Sequence, residues 1–210
     1  MENRNRILKL CVTGLMAALA YVAFTYLQIK IPTPGGYTSF HLGNTFDVLA
    51  SLLLGGWLGG AAGALGMGIG DLLDPVYVTT APKTIILKLG IGLITGLAAH
   101  KVFRIQTLSG KKLTRAAFLS SAAGMAFNCI GEPLFGYFYT AVILGAPADA
   151  AKALAGWNAI TTCTNAVLTV IIASLLYLAL YPRLKNNGTL QKIGPHYGSS
   201  EHTETSAKAA

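Results

Sequence analysis

The sequence predicts an all-α membrane protein in which six transmembrane helices form a compact bundle with both termini in the cytoplasm. Hydrophobic residues make up 53% of the 210 residues. Charged residues make up 11%, against about 25% in soluble domains. Three stretches, 10–29, 48–70 and 153–182, contain no Asp, Glu, Lys or Arg. Each of them is about as long as the roughly 20 residues that a helix needs to span a bilayer.

Helix breakers and charges divide the chain into its elements. A Pro- and Gly-rich outer loop over 29–40 follows the first helix, which we expect to be retained and not cleaved as a signal peptide. The glycines around Trp57 divide the next apolar run into two helices, and Pro133 is expected to kink the fifth helix. The polar segment 185–210 is expected to be a disordered tail, which leaves 1–184 as the membrane domain. The six helices are expected over 7–29, 42–55, 58–74, 83–103, 114–144 and 154–180.

The basic residues set the expected orientation. With the amino terminus in the cytoplasm, 12 of the 16 basic residues fall on the cytoplasmic side. This is the positive-inside pattern of membrane proteins. The net charge of +8 therefore indicates topology and not a nucleic-acid partner. The twelve residues are Arg4, Arg6, Lys9, Lys101, Arg104, Lys111, Lys112, Arg115, Arg183, Lys185, Lys192 and Lys208.

Polar side chains within the helices concentrate near the outer ends of five of them. A charged group inside a bilayer costs a few kcal/mol, so their shared level predicts a polar cavity that opens outward beneath the first loop. Asn158, Thr161 and Asn165 follow helical spacing and share one face. The candidate ligand-binding residues are His41, Asn44, Asp47, Asp71, Lys83, Lys88, Asn128, Glu132, Tyr139, Trp157, Asn158, Thr161 and Asn165.

Structural roles remain open for several of these residues. Intramembrane Asn and Thr also bond neighbouring helices, and Asp71 and Lys88 suit a structural ion pair. His41 suits a cap on the second helix as well as a ligand contact. Trp157 and Tyr139 suit either an interfacial aromatic belt or a ring that stacks on a ligand.

Small residues line part of the first helix, and the usual catalytic motifs are absent from the sequence. Thr13, Gly14, Ala17 and Ala18 form a surface that suits either internal packing or the docking of a partner helix. The chain has no phosphate-binding loop, no catalytic-triad or zinc-protease motif and no metal-ligand cluster. We therefore expect neither an enzyme nor a bound cofactor or metal. Uphill transport would take its energy from another subunit or from an ion gradient.

Three stretches carry a resemblance to a known family: HLGNTFDVLASLLLGGWLGGAAGALGMGIGDLLDP, APKTIILKLGIGLITGLAAH and NAITTCTNAVLTVIIASLLYLAL. Over about residues 8–184 the chain resembles the substrate-binding S component of energy-coupling factor (ECF) vitamin transporters, in particular the riboflavin-type branch. The resemblance implies a six-helix fold with an outward ligand site closed by the loop after the first helix. It also implies that Thr13, Gly14, Ala17 and Ala18 dock a transmembrane coupling protein bound to two cytoplasmic ATPases.

The expected function is high-affinity substrate binding for an ECF-type ABC transporter that imports a vitamin across the bacterial plasma membrane. Trp157, Asn128 and Asn158 suit a flavin, Lys83 or Lys88 suits a phosphate or carboxylate, and the Asp and Asn residues suit a pyridoxine-like ring. The main alternative is a stand-alone secondary transporter coupled to protons through an intramembrane carboxylate. An intramembrane enzyme is disfavoured, because the acidic groups lie on different helices without a catalytic spacing.

Overall fold

Six helices of twelve residues or more make up most of residues 2–195, the part of the chain that the computed structural model describes. A short seventh helix follows them, and a β-hairpin lies between the first two. The helices are α1 (Glu2–Thr25), α2 (Gly43–Leu54), α3 (Gly56–Leu73), α4 (Ala81–Gly96), α5 (Gly110–Phe138), α6 (Ala148–Asn186) and α7 (Thr189–Ile193). A π-helical turn extends α4 to Val102, and another extends α5 to Ile143. Pro133 lies within α5, which continues past it.

The outer surface of the bundle is apolar. Leu15, Ile86, Ile130 and Val167 lie on four different helices, and each is more than half exposed. Such a surface is typical of a protein that faces a membrane or a large partner. Within the described residues, three stretches are long and apolar enough to cross a membrane, and Gly43–Leu54 is a shorter apolar helix. The three stretches are Asn3–Thr25, Val78–Val102 and Ala148–Asn186.

Glycines let α3 pack closely against its neighbours. A Cβ atom added to Gly59 would lie 2.3 Å from Cα of Ser51 on α2. One added to Gly92 of α4 would lie 2.2 Å from Cα of Gly60 on α3. One added to Gly66 would lie 2.3 Å from the carbonyl oxygen of Ala17 on α1. Only glycine permits backbones to approach this closely, so these positions fix how α1, α2, α3 and α4 pack.

The segment predicted as the first loop contains no helix, but it forms a β-hairpin that the sequence analysis did not predict. Strand β1 (Gln28–Thr33) pairs antiparallel with β2 (Gly36–His41), and Gln28 is opposite His41. Ile and Thr favour strands because their branched side chains pack well on a pleated surface. Pro34 and Gly35 form the two-residue turn, where Gly35 takes a φ of +97° that glycine adopts without strain.

The sixth helix and the tail also differ from the sequence prediction. The segment after Pro147 was expected to be a turn, but α6 begins at Ala148 in an alanine-rich stretch with high helix propensity. The disorder expected from Lys185 onward does not hold for residues 185–195, because α6 runs to Asn186 and α7 follows. Leu190 and Ile193 are each 2% exposed, and their burial holds α7 in place. The rest of the expected tail lies outside the described residues.

The two ends of the bundle differ in character. At one end, which we call the hairpin end, the β-hairpin lies over polar side chains of α2 to α6. At the opposite end, the Tyr181 hydroxyl of α6 donates to the carbonyl oxygens of Gln106 and Leu108, in the connection between α4 and α5. The apolar core extends towards that end and includes Leu52 and Tyr177, which have no exposed surface.

Candidate functional site

A cavity of about 90 Å³ lies beneath the hairpin, among the ends of α2, α3, α4, α5 and α6. The prediction that polar residues from five helices converge at one level is confirmed by its lining. Contact between these residues and a ligand remains a prediction. Ten of the thirteen candidate residues line the cavity: His41, Asn44, Asp71, Lys83, Lys88, Asn128, Glu132, Asn158, Thr161 and Asn165.

An ion pair between α4 and α5 forms one wall of the cavity. The Lys83 ammonium donates a hydrogen bond to Oε1 of Glu132, and the two side chains are only 10% and 15% exposed. The Asn158 amide of α6 donates to the same oxygen at 3.4 Å. Lys83 therefore takes its partner from α5, and Glu132 joins three helices through a single carboxylate.

Lys88 and Asp71 form the second group of charges. Lys88 lies five residues after Lys83 on α4, and it interacts electrostatically with Glu132, Asp47 and Asp71. The Asp71 carboxylate at the end of α3 accepts a hydrogen bond from the Thr84 side chain of α4. Lysines and carboxylates thus line the same cavity, and their opposite charges compensate part of the cost of removing each of them from water.

Besides the Tyr77 hydroxyl, three side-chain acceptor atoms of the lining residues have no hydrogen-bond partner. They are Oδ1 of Asn44, Oδ1 of Asn128 and Oδ1 of Asp71, and each is completely shielded from solvent. All three residues line the cavity, and the two asparagines are each 1% exposed. A buried polar atom without a hydrogen bond costs about 1–3 kcal/mol. A bound molecule that donated hydrogen bonds to these atoms, once the lining side chains turn towards the cavity, would recover part of that free energy.

Hydrogen bonds to α6 hold the hairpin over the cavity. The hydroxyl groups of Thr38 and Thr161 lie 2.7 Å apart. The Asn165 side chain accepts from the backbone N–H of His41 at 3.2 Å and donates to the carbonyl oxygen of Ser39 at 3.1 Å. Thr161 and Asn165, predicted as ligand contacts, therefore also position the β-hairpin.

An ion pair fixes the other side of the hairpin. Lys30 of β1 pairs with Asp74 at the end of α3, and its ammonium lies 5.4 Å from the centre of the Tyr77 ring. The second Asp74 oxygen accepts from the backbone N–H of Val76 at 3.0 Å. Burial raises the pKa of Tyr77 to about 12, so the phenol that lines the cavity keeps its proton at neutral pH.

His41 ends β2 at the entrance to α2. Its Nδ1 accepts from the backbone N–H of Gly43 at 3.2 Å, and Phe24 packs edge-on against the ring with centroids 4.8 Å apart. Burial, and then the positive charge of Lys88, lower the pKa of His41 to about 3. The imidazole is neutral at physiological pH. It bonds the first turn of α2 and also lines the cavity, so its contact with a ligand stays a prediction.

Three candidate residues lie outside the cavity. Asp47 is fully buried and packs against α3, where its Cγ is 2.3 Å from the position of a Cβ on Gly63. Tyr139 donates its hydroxyl to the carbonyl oxygen of Thr79 at 2.8 Å. Trp157 is 43% exposed on the outside of the bundle, as the interfacial alternative expects. The structure does not place these three with the other ten.

The lining also contains residues that sequence reasoning missed, most of them on the hairpin and the turns. Tyr37 and Ser39 alternate along β2 with His41, which the sequence did predict, and all three line the cavity. A period of two would have placed them on one face, but only if the segment had first been predicted as a strand. The other missed lining residues are Phe24, Thr38, Tyr77, Thr80, Thr140 and Leu154.

The four predicted docking residues of α1 divide into two pairs. Thr13 is 7% exposed and its hydroxyl donates to the carbonyl oxygen of Lys9 at 2.8 Å. Ala17 faces α3 at Gly66, so it belongs to the internal packing. Gly14 and Ala18 are exposed, and no atom would lie within 4 Å of a Cβ added to Gly14. Gly14 and Ala18 therefore leave an open, small-residue surface on the outside of α1.

Comparison with known proteins identifies the family. No curated protein matches this chain. A solved structure of ThiT from Listeria monocytogenes has the same fold, with a TM-score of 0.59 and 18% sequence identity over 90% of this chain and 99% of that chain. The sequence profile of the family described as ECF-type riboflavin transporter, S component, matches residues 4–182. The chain is therefore a membrane protein that belongs to the family of ECF-type riboflavin transporter S components.

Proposed function

We propose that this protein is the high-affinity substrate-binding subunit of an ECF-type ABC transporter that imports a vitamin or cofactor precursor. The observation that carries the proposal is the cavity, where Asn44, Asn128 and Asp71 each present an acceptor atom without a protein partner. Buried polar groups are usually hydrogen-bonded, and at residues that line a cavity a bound solute can supply the missing partner. The family supports a transport role, since it is a family of transporter components and not of enzymes.

The hairpin end faces the outside of the cell in this proposal. Basic residues gather at the opposite end, where Lys111 and Lys112 begin α5 and Arg183 and Lys185 end α6. The positive-inside rule puts that end in the cytoplasm of a bacterial plasma membrane. A solute then reaches the cavity from outside, beneath the β-hairpin, and the apolar core separates it from the cytoplasm.

Energy comes from partner subunits in this proposal, because the family is one of ECF transporter components and the sequence carries no nucleotide-binding motif of its own. A transmembrane coupling subunit with two cytoplasmic ATPases is the partner that the family implies. The open surface of Gly14 and Ala18 suits close approach of a partner helix, because small residues let helix backbones meet. Thr13 and Ala17 hold the register of α1 against the bundle and do not themselves face the partner.

Uptake measurements test the proposal. Cells that lack their own vitamin importers would express this protein with and without the coupling subunit and ATPases, and uptake of labelled riboflavin and pyridoxine would be followed. We expect uptake only with the complete module. Gly14→Leu should block uptake and leave ligand binding unchanged, whereas Thr164→Leu, at an exposed position on α6, should affect neither. Uptake that needs only a proton gradient would favour the alternative of a secondary transporter, for which Asp47 is a candidate proton carrier.

A further inference from the structure

We propose that a groove between α5 and α6 binds one anionic phospholipid, with an acyl chain in the groove and the phosphate against Lys111 and Arg115. Within the described part of the chain, the groove shares no lining residue with the cavity beneath the hairpin. The inference goes beyond the proposed function, because it concerns the surface that faces the membrane and not the solute site.

Apolar side chains and one cysteine line the groove, which is open to the outside of the bundle. Three alanines, Ala122, Ala126 and Ala166, lie among larger side chains that include Phe118 and Val170. Small side chains between large ones leave a depression where the two helices meet. A hydrocarbon chain suits such a depression, because it needs no hydrogen bonds and gains many close contacts along its length.

The groove has the length of one lipid leaflet. On α5 it extends from Phe118 to Cys129, which is about 16 Å at the helical rise of about 1.5 Å per residue. The hydrocarbon core of a bilayer is about 30 Å thick, so each leaflet contributes about 15 Å. An acyl chain of one leaflet can therefore follow α5 from Phe118 to the middle of the membrane.

α6 borders the same stretch in the opposite direction. The hydroxyl groups of Ser121 and Ser174 lie 3.1 Å apart, and the Asn158 amide bonds Glu132 further along α5. The two helices are therefore antiparallel, and both walls of the groove follow the direction that an acyl chain takes in a leaflet.

Basic side chains continue the groove at its Phe118 end. Lys111 and Arg115 precede Phe118 by seven and three residues, which places all three on one face of α5. Both basic side chains are exposed, and neither is in an ion pair with a described side chain. The chain has no Asp or Glu from residue 75 to residue 131, so no nearby carboxylate on α4 or α5 competes for them.

These charges determine which lipid suits the groove. Basic pockets between transmembrane helices on the cytoplasmic side bind the headgroups of anionic lipids. A phosphate held by Lys111 and Arg115 is at the level where an acyl chain in the groove would join its headgroup. A zwitterionic lipid would bring a second cation to the same place, and a neutral headgroup would leave both charges without a partner.

Two other occupants fit the structure less well. The surface proposed for the coupling subunit is on α1, at Gly14 and Ala18, and α1 packs against α2, α3 and α7. A partner helix there leaves the groove between α5 and α6 open to lipid. A second copy of the chain in the same membrane would bring its own Lys111 and Arg115 to the same level, where like charges repel.

Native mass spectrometry of the purified full-length protein in detergent tests the inference. The protein would be titrated with phosphatidylglycerol and with phosphatidylcholine that carries the same acyl chains. We expect one phosphatidylglycerol to bind at least about tenfold more tightly than phosphatidylcholine, because each basic residue near an anionic headgroup strengthens binding about fivefold. Equal affinities for the two lipids, or the absence of bound lipid, would overturn the inference.

Charge variants test the headgroup contact. Lys111→Gln/Arg115→Gln should lower the preference for phosphatidylglycerol to about twofold or less. The matched control is Lys101→Gln/Arg183→Gln, which removes the same charge at two exposed positions outside the groove and should keep the preference. A preference that survives in the first variant, or falls equally in both, would contradict a headgroup site at Lys111 and Arg115.

A packing variant tests the acyl-chain contact, and it keeps the test valid if the charge variant does not fold. Ala122→Leu/Ala126→Leu fills the groove and should weaken the binding of phosphatidylglycerol by about tenfold, although every basic residue remains. Unchanged binding would contradict the groove as the lipid site.

Two further outcomes identify a different occupant, and each would overturn the inference. Glycerol 3-phosphate has the phosphate without the acyl chains, and we expect no displacement of the lipid at about 100-fold excess. Displacement would mean that the basic pair binds free phosphate. If wild-type protein binds both lipids equally and Ala122→Leu/Ala126→Leu no longer co-purifies with the coupling subunit, the groove takes a partner helix.

Discussion

Replacing Glu132 by Gln tests whether the ion pair with Lys83 contributes to the stability of the cavity wall. Glutamine has almost the same shape as glutamate, so the change removes the charge and little packing. Removal of one member of a buried ion pair costs about 3–5 kcal/mol, because the remaining charge is left buried without a partner. The two side chains are 10% and 15% exposed, so water in the cavity offsets part of this cost. We therefore expect a loss of about 3 kcal/mol, at the lower end of that range.

A double-mutant cycle with Lys83→Met measures the interaction itself. The free energy of unfolding in detergent would be measured for the wild type, the two single variants and the double variant. We expect a coupling energy of about 2 kcal/mol, because the double variant leaves no unpaired charge. Lys30 and Asp74 provide the control cycle, since Lys30 is 35% exposed and such surface pairs contribute about 0.2–1 kcal/mol. A coupling for Lys83 and Glu132 no larger than the control would refute the reasoning.

Three further predictions concern packing, binding and pH. Gly96→Ala should lower the free energy of unfolding by about 1–3 kcal/mol, because its Cβ would lie 2.1 Å from the backbone nitrogen of Gly56, whereas Gly14→Ala should have little effect. Asn44→Ala should leave the protein folded and weaken ligand binding by about tenfold in a calorimetric titration. Burial lowers the pKa of His41 from 6.5 to about 3, so the unfolded state binds the proton more readily. Stability should therefore fall by up to about 1.4 kcal/mol per unit as pH drops from 6.5 towards 3. Thermal unfolding of His41→Gln should lack this part of the pH dependence.

Helical spacing predicted much of the site, because the face of a long helix follows directly from its sequence. Asn158, Thr161 and Asn165 share a face of α6, and all three line the cavity. Spacing does not say which partner each residue takes, so the bonds from Thr161 and Asn165 to the hairpin were not foreseen. Trp157 is adjacent to Asn158 in sequence, yet it points to the outside, since successive helical residues are about 100° apart.

The position of the Asp47 side chain depends on a contact between two helices, which sequence spacing alone does not predict. It lies one turn from Asn44 on α2, and the two were expected to face the same cavity. Gly63 of α3 leaves room for the Asp47 carboxylate, whose Cγ lies 2.3 Å from where a Cβ of Gly63 would be. The close approach of α2 and α3 therefore draws this side chain into the helix interface and away from the cavity.

The hairpin and α7 were not predicted, because the sequence analysis gave more weight to the local amino-acid composition than to the spacing of the apolar and β-branched residues. Two prolines and two glycines over 32–36 indicated a loop, although the Pro34–Gly35 turn joins two strands. The polar composition after Lys185 indicated disorder, although Leu190 and Ile193 are spaced to bury together on one helical face. In both segments a few apolar or β-branched residues decide the structure through contacts with the bundle.

The most direct test of the account is to purify the protein in detergent, denature it and identify the released small molecules by mass spectrometry. Nanomolar binding keeps a ligand through purification, so we predict one vitamin or cofactor precursor in stoichiometric amount. The Asn44→Ala/Asn128→Ala double variant should release none, and Asp149→Asn, at an exposed position in the first turn of α6, should release as much as the wild type. Equal amounts of the same molecule from the double variant and the wild type would contradict the placement of the site. A wild-type protein that releases no ligand and binds none of the vitamins offered to it would contradict the proposed function.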